Sequence, residues 1–352
     1  MTADPKSTRP PAAAGRFYPG DAVELRNLIG VLLAAVPPTS TPAPKAIIAP
    51  HAGYLYSGPI AASAYAQLIP ARDLIKRVVV LGPSHYIALT GVATTSAKAF
   101  ATPLGIVPVD VEAVRLIESL PQVTLLDEAH AREHSIEVQL PFLQTVLSAF
   151  TLVPLAVGDA TAEEISQVLD ALWGGPETRF VISSDLSHYC DSQTARRLDR
   201  TTAKAIEALK PGRIRENHAC GRIPIRGLLE AARQHGLRAR TVDLRNSGDT
   251  AGPRDQVVGY GAFVFEEIQG PSVDASQGQC GLELGCALYA RGRVGKIAAA
   301  ELAGVDFFSF QRALEERGIP LHTEQMLAND LQTLRTLFPK LFASFASFGH
   351  RP

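Results

Sequence analysis

Three short apolar runs punctuate the chain, and each ends the same way. KAIIAPH (45–51), RVVVLGPSH (77–85) and RFVISSDLSH (179–188) are rich in β-branched residues and exit into a polar turn carrying a histidine. Continuous apolar runs of this length predict strands buried on both faces. A fourth strand is predicted over 151–157. Helical periodicity fills the gaps at 57–68, 109–120, 133–150 and 161–173. An earlier helix starts at Asp21, a good N-cap, and runs to Val36, where PPTSTPAP stops it. Beyond His188 the pattern predicts a polar helix (194–209), a loop PGRIRENHACGRIPI, a helix (226–235) and two strands (238–244 and 256–265). Helices alternating with buried strands predict an α/β fold with a largely parallel or mixed sheet.

The texture changes near residue 267. IQGPSVDASQGQCG reads as a Gly/Ser/Gln linker, followed by a small helical segment. The expected organisation is a disordered Pro/Ala-rich N-terminus (1–13), a main domain (14–268), a linker (269–281), a small all-α module (282–340) and a tail (341–352).

Composition narrows the function classes. The 352 residues are 46% hydrophobic and 20% charged, with a net charge of -1. That balance is globular, and it gives no electrostatic reason to expect nucleic acid or an acidic membrane as partner. The four cysteines show no CxxC pair, so neither a disulfide framework nor a zinc ribbon is expected. The first residues lack the apolar core of a signal peptide, and the apolar stretch 28–36 is too short to span a bilayer. The expectation is a cytoplasmic protein with no membrane association.

The candidate chemistry lies at the strand exits. In open α/β sheets, ligands bind beyond the carboxyl ends of the strands. His51, His85 and His188 would converge there if their strands are neighbours, and neutral imidazole is the commonest side-chain metal ligand. Asp185, three residues before His188, suits orienting an imidazole or moving a proton, or capping the turn. His134 and Glu137 in EHSIEVQLPF fall on one helical face, as pocket or supporting groups. Cys220, in the loop NHACGRIPI, is a candidate soft ligand, with Cys190 as its alternative. Tyr54, between Gly53 and Gly58, is a further pocket candidate. Cys280 and Cys286 read as incidental. No phosphate-loop, dinucleotide, GxSxG or HExxH motif is present.

Taken together, AGRFYP, APHAGYLYSG, LGPSHY, EHSIEVQLPFL, SSDLSHY, CGRIPI, NSGD and VVGYGAF resemble, in order, the Memo family, also called AmmeMemoRadiSam system protein B. The resemblance covers about residues 14–266. It implies kinship with LigB-type class III extradiol dioxygenases and a three-layer α/β/α fold around a central mixed sheet. It makes His51, His85 and Cys220 metal ligands and His188 with Asp185 the acid–base group. The implied cofactor is a transition metal, iron first, with copper or zinc as alternatives. The implied function is redox or oxygenase-like chemistry on an unknown small molecule. A non-catalytic metal- or peptide-binding scaffold is the alternative. The stretch ALYARGRVGKIAAAELAGVDFFSFQRALEERGIPLH resembles short antitoxin-like prokaryotic proteins, with Gly304 between two helices. Residues 281–340 carry seven Lys/Arg and seven Asp/Glu, so a protein-interaction module is expected rather than a DNA-binding one.

Overall fold

The computed structural model describes residues 7–39, 42–267 and 275–321. It divides into two compact units, residues 1–268 and 269–352. In the first, the chain runs β1 (Thr8–Arg9), α1 (Ala22–Ala34), β2 (Ala46–Ala49), α2 (Tyr54–Tyr65), β3 (Arg77–Pro83), β4 (Val92–Thr94), β5 (Ala99–Thr102) and β6 (Gly105–Pro108). It continues through α3 (Val111–Ile117), β7 (Val123–Leu125), α4 (Glu128–Ala131), α5 (His134–Glu137), α6 (Leu140–Val146), β8 (Thr151–Val157), α7 (Ala162–Ala171) and β9 (Thr178–Ser183). It ends with β10 (His188–Cys190), α8 (Ser192–Glu207), α9 (Arg222–Gln234), β11 (Leu237–Asn246) and β12 (Val257–Glu267).

The four apolar runs pair with one another. β2, β9, β3 and β8 lie side by side, all parallel, at the centre of a nine-stranded mixed sheet of the described residues. Their side chains are almost all fully buried, as a strand covered on both faces requires. β12 joins antiparallel on β2, and β4 antiparallel on β8. Helices α1, α2 and α6 pack together, with α2 on β2, β11 and β12; α7 and α9 form another group, with α9 reaching β3 and β9. This is the expected α/β/α architecture.

Three local expectations fail for physical reasons. The polar turn after β9 does not carry His188: β9 ends at Ser183, the chain turns, and His188 opens the short β10, which pairs antiparallel with β12. The helix expected over 133–150 breaks into α5 and α6, because Pro141 in the first turn of α6 cannot continue a preceding helix. The strands β1, β4, β5, β6 and β7 are two to four residues long and carry no period that a sequence pattern would reveal.

The N-terminal segment corrects the expectation of disorder where it is described. Ser7–Ala13 is ordered, with β1 paired to β5. Arg9 is the reason. Its guanidinium is buried against the carboxylate of Glu137, donates to the carbonyls of His130 (3.0 Å) and Glu133 (2.7 Å), and lies over the Phe100 ring. Glu137 also accepts from the Tyr18 hydroxyl and from the backbone N–H groups of Ala12 (2.7 Å) and Ala13 (2.9 Å). Glu137 therefore clamps the N-terminal segment onto α5 and does not line a pocket.

In the second unit, α10 (Ala275–Ala290), α11 (Lys296–Ala303) and α12 (Phe307–Glu316) pack around Tyr289, Phe310 and Leu314. The expected linker is already helical from Ala275. Gly285 lets α10 approach α11, since a Cβ there would lie 2.7 Å from the Ala299 carbonyl oxygen. Gly304 ends α11 in the left-handed conformation, at the predicted break. The expected tail (341–352) and residues 322–340 of the helical module lie outside the described residues.

Arg9→Met should lower the stability of the first unit by about 3–5 kcal/mol, because it leaves the Glu137 carboxylate buried without its cation. Chemical denaturation checks this, and a loss under about 1 kcal/mol would mean that the clamp lies outside the cooperative core. A chain ending at Ile268 should keep the parent's near-ultraviolet circular dichroism and unfold in one transition. A molten spectrum would show that the second unit completes the core.

A candidate metal centre at the sheet edge

Parallel pairing sends the carboxyl ends of β2, β9 and β3 to one edge. The register aligns Ala49 with Ser183, so the exits of β2 and β9 are level. His51 follows β2 by two residues and His85 follows β3 by two. At the same position after β9 stands Asp185, not His188. The central strand thus separates the two histidine-bearing exits and contributes Ser183 and Asp185 between them.

His134 arrives from α5. Ser135 donates to the Pro83 carbonyl (3.0 Å), seating α5 on the end of β3. Gly82 permits this, because a Cβ there would fall 2.3 Å from the Ser135 Oγ. The three imidazoles meet with ring centroids 4.6–5.4 Å apart, and Phe17 stacks on His134 at 4.3 Å. One ligand-capable atom from each of His51, His85 and His134 lies within 4.8 Å of the others. His134 was expected only to line the pocket; the structure brings it into the cluster.

The three rings are held differently. His51 is 2% exposed, and its Nδ1 contacts the Ser183 Oγ at 2.7 Å. His85 is more open. Glu133 takes its Nδ1 at 2.9 Å and its backbone N–H at 2.6 Å. Burial raises the Glu133 carboxyl, but the hydrogen bonds from His85 and Ser135 outweigh it and bring the pKa down to about 2. This carboxylate is thus ionised. Glu133, adjacent to His134 in sequence, was missed by the sequence reading; its position in EHS was the available signal. The buried Nδ1 of His134 has no hydrogen-bond partner. The Glu133 Oε1 approaches it to 3.4 Å without hydrogen-bonding alignment.

The remaining candidates take different places. The Cys220 Sγ lies 3.3 Å from the Nε2 of His51 and 3.6 Å from the Asp185 carbonyl oxygen, but outside the three-histidine set. Burial, aided by the Asp185 carboxylate, pushes its thiol up to about 12. Asp185 accepts from the backbone N–H groups of His51 (2.8 Å) and Ala52 (3.3 Å), so it holds the His51 turn. His188 is exposed on β10, and its Nδ1 meets the Leu186 carbonyl at 2.8 Å. Tyr54 does not line a pocket: it is buried against Phe142 and donates to the Val138 carbonyl at 2.6 Å. The Cys190 Sγ meets the His188 carbonyl oxygen, two residues back, at 3.6 Å.

The family model described as Memo-like protein matches residues 9–264. The chain belongs to the Memo family. It is 36% identical over 268 residues to a MEMO1 family protein of Aquifex aeolicus, covering 73% of this chain and 98% of that protein. It is 37% identical over 278 residues to one of Aeropyrum pernix, covering 72% and 98%. It is also 36% identical to one of Methanopyrus kandleri over 279 residues, covering 73% and 98%. A second family model, an uncharacterised protein family (UPF0175), matches residues 272–336, where the antitoxin-like resemblance was read. No helix among the described residues is long and apolar enough to cross a membrane.

The Memo-like donor set fits a transition metal. Burial, then the neighbouring imidazoles, brings His51 down to about 3 and His134 down to about 4, so both rings are neutral at physiological pH with a lone pair to give. The orphaned Nδ1 of His134 is the kind of buried polar atom that calls for a partner. The 3.3 Å between His51 Nε2 and Cys220 Sγ is near the ~3.5 Å expected of nitrogen and sulfur sharing one tetrahedral ion.

The loop carrying His188 is tied to α8 by Asp199, whose Oδ1 accepts from the Ser187 N–H at 3.0 Å. Burial raises the Asp199 carboxyl from 3.8 to about 6. A carboxyl raised on folding binds more protons in the native state, so stability falls as pH rises from about 4 to about 6. Asp199→Asn should flatten that fall and raise the melting temperature above pH 6. Melting curves from pH 4 to 8 check this, and parallel curves for variant and parent would refute it.

Proposed function

We propose that this Memo-family chain is a metal-dependent redox protein with oxygenase-like chemistry, using an iron ion held by His51 and His85 with His134 and Cys220 as further donors. The observation that carries the reading is the meeting of three imidazoles, those of His51, His85 and His134, at the carboxyl edge of a parallel sheet. Iron is favoured by the resemblance to LigB-type dioxygenases, with copper or zinc as competitors where the Cys220 sulfur participates. When bound, such an ion supplies electron exchange with an oxidant and a Lewis-acidic position for a small molecule.

The chain's own groups define the rest. His51, with the half-buried Cys220 beside it, forms the inner wall of the site, and the more exposed His85 marks the side open to a substrate. Glu133, an ionised carboxylate on the Nδ1 side of His85, leaves the Nε2 of that ring for the ion. His188 sits on the same edge with its Nδ1 engaged by a carbonyl, so its exposed Nε2 is the group placed to accept or return a proton. Asp185 holds the His51 turn beneath it. The substrate is a small molecule reaching the His85 side.

Protein purified anaerobically and reconstituted with Fe(II) should retain about one equivalent by elemental analysis. His85→Ala should lose it. Cys220→Ser should retain an ion with altered preference between Fe(II) and Cu(I), and Cys190→Ser should behave as the parent. Failure of the parent to retain Fe(II), Cu(I) or Zn(II) would sink the metal reading. Retention without any redox response to oxygen would leave a metal-binding scaffold in its place.

A further inference from the structure

We infer that Tyr65, Gln139 and Ser183 form a fixed hydrogen-bonded chain that selects the tautomer of His51, which makes Ser183 and Gln139 positioning residues for the ion proposed above. The inference rests on that metal reading for its purpose, though not for its geometry.

The protons follow from the heavy-atom partners. The Ser183 Oγ has three: the Ser135 carbonyl oxygen at 2.5 Å, the His51 Nδ1 at 2.7 Å and the Gln139 Nε2 at 2.8 Å. A hydroxyl has one hydrogen and two lone pairs. The carbonyl only accepts, so the hydroxyl hydrogen goes to Ser135 and both lone pairs must face donors.

Gln139 is a donor by its own surroundings. Its Nε2 also faces the Pro50 carbonyl at 3.1 Å, and its Oε1 receives the Tyr65 hydroxyl at 2.7 Å. The reversed amide would set oxygen against the Pro50 oxygen and nitrogen against the phenol. Burial holds the Tyr65 phenol well above its ordinary pKa, so it keeps its proton and donates.

One lone pair of Ser183 therefore takes the Gln139 N–H. The other faces the His51 Nδ1, which must carry a hydrogen; a bare nitrogen there would set two lone pairs together. Ser135, Gln139, Ser183 and Tyr65 are fully buried, so no bulk water substitutes for a missing partner. His51 is left with an unprotonated Nε2, the atom that faces Cys220. Ser183 and Gln139 touch no substrate position; they act through His51. His85 receives equivalent support from the charged Glu133, whereas His51 receives it from a neutral chain ending at Tyr65.

The experiment uses full-length protein with 15N-labelled histidine, metal-free, with His51 assigned by its absence in His51→Asn. The parent should show His51 as a single Nδ1–H tautomer with a pyridine-like Nε2. Ser183→Ala should shift the population toward Nε2–H, because the freed Gln139 N–H then points at Nδ1. It should also weaken Zn(II) binding, measured by competition, by about 10- to 100-fold. Ser183→Thr, which keeps the hydroxyl, should restore the parent tautomer and affinity. A parent spectrum with His51 as Nε2–H overturns the inference whether or not any variant folds, and so does an unchanged tautomer in Ser183→Ala. If the tautomer moves as stated while the parent binds no Zn(II), the chain stands and the metal reading fails.

Discussion

The parallel pairing of β2, β9 and β3 is the constraint on which the rest depends. Parallel strands deliver their carboxyl ends to one edge, and β9 lies between the other two. His51 and His85 are therefore placed on either side of β9, within one residue of level, without any contact between their own strands. The gap is the width of β9, and β9 fills it with Ser183 and Asp185. Ser183 contacts the ring of His51, and Asp185 holds its backbone. A one-residue slip in this pairing would replace both with their neighbours on the other face.

A second layer of ordering comes from outside the sheet. His134 reaches the cluster only because α5 is pressed onto β3 and the N-terminal segment is clamped onto α5. The Glu137 carboxylate satisfies four donors in that clamp, and Arg9 satisfies two carbonyls besides. Such a fully satisfied buried network fixes one geometry rather than many. It turns the short, irregular helices α4 and α5 into a rigid platform, and Phe17 from the same segment covers the His134 ring.

Burial then sets the chemistry. Two of the three imidazoles are held far below the ordinary histidine pKa, while the adjacent thiol is held far above its own. Both shifts favour uncharged groups in a dry site. A bound cation would reverse the thiol's preference, since coordination stabilises thiolate. The two kinds of donor thus respond differently to the same ion, nitrogen already prepared and sulfur requiring a proton to leave.

The sequence by itself determined the α/β alternation, the four central strands, the family, and the candidacy of His51 and His85, because β-branched runs and strand-exit residues are local features. The reading of His188 as a third equivalent exit did not survive, because where β9 ends depends on the pairing of β10 with β12. The recruitment of His134, the diversion of Glu137 and Tyr54 to packing, and the ordering of Ser7–Ala13 were decided by tertiary structure. Arg9 and Glu137 are 128 residues apart, and no local period connects them. Ser183 and Gln139 were equally invisible in sequence: a serine at a strand end and a glutamine near a proline are ordinary until folding brings them together. Hydrogen-bond partners in a buried network are chosen by distance and donor count, and both exist only once the chain is folded.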